Sequence, residues 1–282
     1  MLANKIRERL VGRIPDRLLD SVPASFDILG SKSGSVVIIE VPEELMEYER
    51  ALAEAVMGVH RNVKSVLGKK SGRQGEYRLR GLRLILGDAD TEVEHRESGC
   101  RFMVDPNLAY FSTRESTERE RVASLVQPGE EVLVMFSGVA PFPICIAKGV
   151  VDAQVTGVEI NPDAHRYGLI NVKLNKVQDR VRLLLGDVRD VCPTLGKQFD
   201  RVVMPLPKGA YEYLDLAISM LRLGGTLHFY HWAPENDMFT EAMVMIKQSA
   251  ERQGRDARFL DGVRVSLYSP RVCKVRLDAE VQ

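Results

Sequence analysis

The stretch "EEVLVMFSGVAPFPICIA", from Glu130 to Ala147, decides the fold. Its apolar run "VLVMF" predicts a buried strand, and a helical apolar pattern begins directly after the turn "SGVAP". Where α/β proteins bind a nucleotide-like ligand, a strand often enters a helix through such a turn. This turn has a single glycine, Gly138, whereas dinucleotide fingerprints have three, and it contains Pro141, which phosphate binding does not require. The stretch therefore predicts an α/β domain and leaves its ligand to be inferred from the rest of the chain.

The alternation of strand and helix continues around this stretch. From Ser116 onward, apolar strand patterns alternate with helical ones, which is typical of a parallel, doubly wound sheet. The last two segments, "VRVSLYS" and "RVCKVRLDA", predict an antiparallel edge. Upstream, a helical N-terminus, short strands and the helix "PEELMEYERALAEAVMGVH" predict an α+β segment that ends near Asp105. We therefore expect a small α+β domain over residues 1–110 and an α/β domain over residues 111–282.

The composition excludes several classes of protein. With 282 residues, 45% apolar and 28% charged, the chain resembles an ordinary soluble globular protein. No apolar run approaches the ~20 residues of a membrane span, and the charged, amphipathic N-terminus is unlike a secretory signal. The four cysteines form no C-x-x-C pair, which suits a reducing cytosol and argues against a zinc site. We therefore expect a cytoplasmic protein with no membrane partner and no metal.

Three strand ends in the second domain carry residues that suit one ligand. They are the turn after "VLVMF", Glu159 at the end of "VTGVEI", and Asp187 after "RLLLG". In a doubly wound sheet these ends lie side by side at the switch-point crevice. A carboxylate at the second end can accept hydrogen bonds from a ribose diol, one at the third can accept from an adenine amino group, and a one-glycine turn admits an amino-acid moiety. The set predicts S-adenosylmethionine rather than NAD, although each residue alone is also compatible with an ordinary turn or helix cap.

The fourth strand end, "RVVMPLPKGA", is rich in proline. Proline stiffens the loop and excludes further strand pairing. Methyltransferases that act on a base nitrogen often use such a loop to face a flipped base, and a rigid turn into the next helix is the alternative. We predict that Pro207 contacts the substrate. The predicted cofactor contacts at the four strand ends are Phe136, Ser137, Gly138, Val139, Pro141, Glu159, Ile160, Asp187, Val188 and Pro205.

A basic stretch is present in a chain whose net charge is zero. Residues 61–83 carry eight Lys or Arg against one acid, Glu76, and the next segment, residues 87–97, is mostly acidic. Such a pattern is compatible with a solvated, self-paired surface or with binding of nucleic-acid phosphates. For the second case, the predicted phosphate contacts are Lys64, Lys69, Lys70, Arg73 and Arg78.

The segments "YFSTRESTERERVASLVQPGEEVLVMFSGVAPFPICIA", "VEINPDAHRYGLINVKLNKVQDRVRLLLGDVRDV" and "DRVVMPLPKGAYEYLD" resemble the archaeal tRNA (guanine-N1)-methyltransferases. The resemblance runs from about Phe26 to the C-terminus and includes the small domain, which in that family helps to position the tRNA. It implies a Rossmann-like class I methyltransferase sheet, S-adenosylmethionine as cofactor, tRNA as partner, and methylation of the guanine just 3′ of the anticodon. The wyosine aminocarboxypropyltransferases share the architecture and the cofactor, and they are the alternative.

Two arginines carry over from this family by motif. The family's "F-S-P-R" arginine is Arg114 in "FSTR", and a later helix position that contacts the cofactor is Arg119. An arginine suits the chemistry because O6 of guanine gains negative charge as N1 loses its proton, and a guanidinium stabilises that charge. A carboxylate must take the N1 proton, and Glu159 is the candidate, although the ribose role competes for it. The resemblance thus implies Arg114 and Glu159 as catalytic residues, and Arg114 favours methyl transfer over the alternative.

Three positions depart from the family pattern. Val134 replaces an aspartate, Ala140 replaces a second glycine of the turn, and Pro205 replaces the asparagine of "N-L-P". Because proline cannot present the polar groups of asparagine near the cofactor and the base, a third hypothesis is a tRNA-binding homologue with impaired catalysis. In all three cases we expect a monomer.

Overall fold

The structure is a computed structural model that describes residues 2–75, 77 and 79–282. Arg78, a predicted phosphate contact, lies outside the described residues, and so does the side chain of Arg73. The chain divides into two compact units, Met1–Thr113 and Arg114–Gln282. The roles predicted for the two domains, tRNA positioning and cofactor binding, stay predictions.

The first unit is a four-stranded sheet packed against helices. Its elements are α1 Leu2–Leu10, β1 Asp27–Ser31, β2 Gly34–Ile39, α2 Glu49–Val59, β3 Val63–Gln74, β4 Leu79–Gly87, β5 Val93–Glu97 and β6 Cys100–Val104, with 3₁₀ turns at Asp16–Ser21 and Glu43–Tyr48. The sheet order is β1-β2-β3-β4, and only the β2–β3 pair is parallel. The strands β5 and β6 form a separate antiparallel hairpin. Apolar side chains of α1, α2, β2 and β3 form the core of this unit.

Strand β3 lies within the basic stretch, residues 61–83. Its cations conceal the strand pattern in the sequence, yet Val66 and Leu67 are buried and pair with β4. The pairing shifts register twice, between Val66 and Leu67 and between Lys69 and Arg73. Irregular pairing of this kind removes strict two-residue alternation, so the sequence pattern of β3 is weak.

The second unit is an α/β sheet of seven strands. Its elements are α3 Ser116–Leu125, β7 Glu131–Met135, α4 Pro141–Gly149, β8 Gln154–Glu159, α5 Pro162–Leu174, β9 Val181–Leu185, α6 Val188–Val191, β10 Phe199–Met204, α7 Leu214–Ser219, β11 Leu221–Pro234, α8 Thr240–Glu251, β12 Ala257–Ser269 and β13 Val272–Val281. The sheet order is β12-β13-β11-β10-β7-β8-β9. From β11 to β9 all pairs are parallel, and β13 is antiparallel to both of its neighbours. This topology confirms the predicted doubly wound sheet with an antiparallel edge.

The two faces of the sheet differ in polarity near β11 and β13. One face contributes Leu227, Phe229, Val275 and Leu277 to an apolar core that α7 and α8 cover. Because successive strand residues point to opposite faces, the intervening positions lie on the other face. These are buried polar residues of both strands, His228, Tyr230, Lys274, Arg276 and Asp278. The second unit therefore has a buried polar layer on the side of the sheet opposite its main core.

Among the residues that the structure describes, no helix has both the length and the apolar character needed to cross a bilayer.

Candidate active site

The sheet order brings the predicted strand ends together. Strands β7, β8 and β9 are neighbours and run parallel, with β10 on the other side of β7. Their carboxyl ends therefore meet at one edge, where α/β proteins bind ligands. We call this edge the strand-end site. It comprises the turn 136–140, Glu159, Asp187 and the loop 205–209.

The turn 136–140 has a tightly wound backbone. Three of its residues have positive φ, namely Phe136 at 59°, Gly138 at 57° and Ala140 at 66°. The N–H of Ala140 donates to the carbonyl of Ser137 at 3.0 Å. The turn passes close to β8, where a Cβ on Gly157 would lie 3.0 Å from the Ser137 side chain. Gly157, which was not among the predicted residues, thus provides the space for this turn.

Ala140 keeps the conformation that a glycine would adopt more easily. A left-handed conformation costs roughly 1–2 kcal/mol in a residue with a Cβ atom. Ala140 is fully buried and immediately precedes α4, whose first residue is Pro141. The departure from the family's glycine therefore adds backbone strain but leaves the turn formed.

Glu159 connects the first two strand ends. One carboxylate oxygen accepts the N–H of Gly138 at 2.6 Å, and the other accepts the N–H of Asn161 at 2.9 Å. Burial raises the pKa of the Glu159 carboxyl, while these backbone N–H groups act in the opposite direction. The carboxylate is thereby held in one orientation, directly beside the turn.

Asp187 is held in its charged form. Its carboxylate accepts the backbone N–H of Arg189 at 2.8 Å and also contacts the Arg189 guanidinium at 3.0 Å. The Arg189 side chain lowers the pKa of the Asp187 carboxyl. The same guanidinium lies 5.7 Å from the Tyr213 ring centre, and Tyr213 packs edge-on against Phe136 at 5.0 Å. Arg189 and Tyr213 were not among the predicted site residues. Only the fold brings Tyr213, which follows the fourth strand end, into contact with Arg189 and Phe136.

The loop after β10 supports the fourth side of the site. Pro207 is buried, Pro205 and Leu206 are half-buried, and Lys208 is exposed. The remaining departure, Val134, is fully buried in β7 between Val203 of β10 and Gly157 of β8. A valine suits that buried position between two strands better than an unpaired aspartate would.

The two predicted arginines differ in exposure. Arg114 is exposed in a 3₁₀ turn, Thr113–Glu115, that leads into α3. Arg119 lies within α3 and is only 2% exposed. Their predicted contacts with substrate and cofactor stay predictions, but the structure places one side chain at the surface and the other inside the unit.

A cluster of buried charges surrounds the start of α3. Glu115 pairs with Lys274 at 2.9 Å, and Glu118 pairs with Arg276 at 3.1 Å. The hydroxyl of Tyr230 donates to Glu118 at 2.7 Å. Burial raises the pKa of the Glu118 carboxyl, and Arg276 opposes this shift. We call these five residues the α3 clamp. The sequence did not reveal it, since "RVCKVRLDA" has the alternation of any half-exposed edge strand.

Several cations of the basic stretch are paired within the first unit. Lys64 lies 3.5 Å from Asp90, and Lys69 lies 3.3 Å from Glu40 with only 19% of its side chain exposed. Lys70, in contrast, is exposed. Two of the lysines are therefore paired with carboxylates, and among Lys64, Lys69 and Lys70, the predicted contacts whose side chains the structure describes, Lys70 is the most exposed.

The donor and acceptor set of the strand-end site fits S-adenosylmethionine. Two carboxylates stand at neighbouring strand ends, and apolar side chains at the half-buried Ile160 and the buried Val188 lie next to them. Among residues 2–75, 77 and 79–282, no group of three or more His, Cys, Asp and Glu side chains is arranged to hold a metal ion.

Comparison with known families places this site in context. Residues 93–257 match the family described as the TRM5/TYW2 methyltransferase domain, and residues 6–91 match the TYW2 N-terminal domain. The chain belongs to the TRM5/TYW2 methyltransferase family. The predicted family and the predicted fold class are thereby confirmed.

Two relatives of the chain have different transferase activities. The chain is 40% identical over 278 residues to a tRNA (guanine(37)-N(1))-methyltransferase, Trm5b, of Pyrococcus abyssi, covering 99% of this chain and 80% of the relative. It is 30% identical over 278 residues to a tRNA(Phe) (4-demethylwyosine(37)-C(7)) aminocarboxypropyltransferase of Pyrococcus horikoshii, covering 98% of this chain and 96% of the relative.

Solved structures agree with both relationships. The complex of aTrm5 with tRNALeu superposes with a TM-score of 0.84 at 28% identity, covering 99% of this chain and 79% of that chain. The P. horikoshii TYW2 structure in complex with MeSAdo superposes with a TM-score of 0.82 at 28% identity, covering 99% and 98%.

Proposed function

We propose that this chain is an S-adenosylmethionine-dependent tRNA methyltransferase that methylates N1 of guanine 37, the nucleotide just 3′ of the anticodon. The observation that carries the proposal is the 40% identity to Trm5b of Pyrococcus abyssi over 99% of the chain. The strand-end site supports it, because the turn 136–140 and the two carboxylates have the arrangement that the ligand requires. We further propose that the protein acts as a monomer in the cytoplasm.

Each part of the strand-end site would hold one part of the cofactor. Bound S-adenosylmethionine supplies an activated methyl group. The backbone of the turn 136–140 would hold the methionine end, Glu159 would accept from the ribose hydroxyls, and Asp187 would accept from the adenine amino group. The Arg189 guanidinium already donates to the Asp187 carboxylate. It must therefore share that acceptor with the adenine amino group or move aside.

The chemical step requires a proton acceptor and a stabilised O6. Arg114 is exposed in the turn before α3, where a flipped guanine can reach it. Its guanidinium would stabilise the charge that develops on O6. Both oxygens of Glu159 already accept backbone N–H groups, which supports its binding role more than its role as the base.

Aminocarboxypropyl transfer is the second candidate. It is favoured by the match of residues 6–91 to the TYW2 N-terminal domain. The greater identity to Trm5b, 40% against 30%, favours methyl transfer.

Two labelled forms of the cofactor separate these activities. A tRNA transcript with guanine at position 37 is incubated with the protein and with S-adenosylmethionine labelled either in its methyl group or in its carboxyl carbon. A tRNA(Phe) with 4-demethylwyosine at position 37, the base named for the aminocarboxypropyltransferase relative, is treated in the same way. Methyl transfer moves only the first label to the tRNA, and aminocarboxypropyl transfer moves only the second. A transcript with adenine at position 37 is the control and should accept neither label.

Calorimetry tests the third hypothesis, a homologue with impaired catalysis. If neither label reaches the tRNA and no heat of binding is found at millimolar S-adenosylmethionine, the hypothesis of a homologue with impaired catalysis is favoured over both transferases. Binding of the cofactor without transfer of either label would also contradict the proposed function.

A further inference from the structure

The α3 clamp joins two pairs of residues with matched spacing. Glu115 and Glu118 are three residues apart at the start of α3, so they lie on one side of the helix. Lys274 and Arg276 are two residues apart on β13, so they share one face of the sheet. The Lys274 ammonium lies 2.9 Å from the Glu115 carboxylate, and the Arg276 guanidinium lies 3.1 Å from the Glu118 carboxylate. Two contacts of this kind fix both the position and the rotation of the helix start.

The charges of the clamp are almost completely buried. Lys274 is 2% exposed and Arg276 is 0% exposed. The Lys274 ammonium also lies 4.7 Å from the centre of the Tyr230 ring, and Arg276 contacts Asp278 at 2.8 Å. Buried ion pairs contribute little net stability compared with apolar side chains of equal size, whereas loss of one partner leaves an uncompensated charge. The cluster is therefore better suited to selecting one geometry than to adding stability.

The residues fixed by the clamp are direct neighbours of the two predicted functional arginines. Arg114 precedes Glu115, and Arg119 follows Glu118. On its other side the clamp reaches the start of α4, because the Tyr230 ring packs edge-on against Phe142 at 6.1 Å. Phe142 is the second residue of α4, directly after the turn 136–140. The clamp thus connects the backbone that carries both arginines with the backbone that forms the turn.

We propose that Lys274 and Arg276 are positioning residues, which hold Arg114 and Arg119 in register with the turn 136–140. The proposal rests on the proposed function for its catalytic consequence. Neither cation need touch the cofactor or the tRNA. Each acts through a carboxylate of α3 on the arginine beside it.

The first test measures coupling between Lys274 and Arg114. Lys274→Met keeps the length of the side chain and removes its charge. We expect the single-turnover rate to fall about tenfold or more, because small displacements of a catalytic group cost large factors in rate. In an Arg114→Ala background the same change should lower the rate less than about twofold, because residues that act through one another are not additive. Arg258→Met on β12 is the matched control. It breaks the ion pair between Arg258 and Glu280 of β13, and it should leave the rate unchanged.

The second test needs no activity. Hydrogen exchange of the backbone amides of residues 119–122, the first that can be hydrogen-bonded within α3, should become about tenfold faster or more in Lys274→Met, as local opening becomes easier. The amides of β8 should keep their protection. If Lys274→Met does not fold, Glu115→Gln removes the same ion pair from the helix side and is measured in the same way.

The outcomes separate the two proposals. Equal losses of rate in both backgrounds, or unchanged exchange at residues 119–122, would overturn the positioning role. If the wild-type protein transfers no methyl group, the proposed function fails. The hydrogen-exchange result then still decides whether the clamp holds α3.

Discussion

Glu159 is the residue on which the proposed binding of the cofactor most depends. Its two carboxylate oxygens accept backbone N–H groups of Gly138 and Asn161. In Glu159→Gln, the amide group would direct a donor toward one of these N–H donors, and the charge would be lost. We expect S-adenosylmethionine affinity to fall by about 1.5–3 kcal/mol, the usual value of hydrogen bonds to charged groups. Calorimetry measures it, with Asp163→Asn on α5 as control. Unchanged affinity in Glu159→Gln would exclude the ribose role.

Ala140 tests the strain in the turn 136–140. Because it has a φ of 66°, Ala140→Gly should raise the free energy of unfolding by about 0.5–1 kcal/mol, part of the strain being offset by the greater freedom of glycine in the unfolded chain. Ala147→Gly is the matched control within α4 and should lower the free energy of unfolding by roughly 1 kcal/mol. Urea unfolding measures both. Equal destabilisation by the two changes would show that the turn is unstrained.

Arg114 tests the proposed chemistry. In Arg114→Ala we expect single-turnover methyl transfer to slow by about a hundredfold or more, as happens when one donor to a developing oxyanion is lost. Because the basic stretch lies elsewhere in the chain, tRNA affinity should be largely retained. Arg182→Ala, an exposed arginine of β9, is the control. A variant with normal rate and weakened tRNA binding would make Arg114 a phosphate contact instead.

At the scale of elements, the polar layer of β11 and β13 predicts how stability depends on pH. The Nε2 atom of His228 lies 2.7 Å from an Arg201 nitrogen, and its Nδ1 atom lies 2.5 Å from Asp278. Because arginine only donates, His228 is neutral and carries its proton on Nδ1. Burial lowers the pKa of His228, while Asp278 opposes this shift.

The pKa of His228 is lower in the folded protein than its ordinary value of 6.5. The neutral histidine therefore contributes its full stability at pH values above 6.5. Below that pH the unfolded chain binds a proton more readily than the folded chain, so we expect His228 to lower the free energy of unfolding as the pH falls through this value. Urea unfolding at pH 7.5 and 5.5 measures this. Burial lowers the pKa of His60 and His165 as well, so the decisive comparison is His228→Asn. In that variant the difference between the two pH values should shrink; an unchanged difference would contradict this account.

Strand β3 and its basic side chains predict which lysine contacts tRNA. Lys69 pairs with Glu40, whereas Lys70 is exposed. Lys70→Glu should therefore weaken tRNA binding, and it should lower the salt slope of binding by about 0.7–0.9 for each lost phosphate contact. Cofactor affinity should not change. Lys247→Glu on α8 reverses an exposed charge elsewhere and is the control. Equal tRNA affinity of both variants at low salt would identify the stretch as a solvated surface.

The elements that the sequence predicts well are those with one strong local pattern. The apolar runs of β7 and β8 are buried on both faces, and β9 at the edge of the sheet still has the short apolar run "LLL", so each is recognisable alone. The turn 136–140 follows from its position after β7. Strand β3 was missed because cations and two register shifts interrupt its alternation. Strand β12 begins at Ala257, well before the predicted start at Val263, because register shifts interrupt its pattern.

The site residues divide in the same way. Glu159 and Asp187 could be predicted because they end strands, and strand order alone decides where they lie. The pairs Glu115–Lys274 and Glu118–Arg276 could not, since each joins residues more than a hundred positions apart and nothing in either local segment reveals its partner. Arg189 could be expected near Asp187, but its contact with Tyr213 depends on the loop after β10.

At the scale of the whole molecule, the two units have different proposed tasks, tRNA binding and cofactor binding. The first unit, Met1–Thr113, carries the basic stretch, and the second, Arg114–Gln282, carries the strand-end site and the α3 clamp. Changes in the first unit should therefore alter tRNA affinity at constant cofactor affinity. Changes in the strand-end site should do the reverse. This division is what a family that modifies one nucleotide of a large RNA requires.

Mass spectrometry of nucleosides from a modified tRNA tests the central claim most directly. A transcript with guanine at position 37 is incubated with the protein and S-adenosylmethionine and digested to nucleosides. The account predicts 1-methylguanosine, in an amount that approaches one per tRNA and that falls sharply with Arg114→Ala. Guanosine left unmodified while the cofactor binds would contradict it.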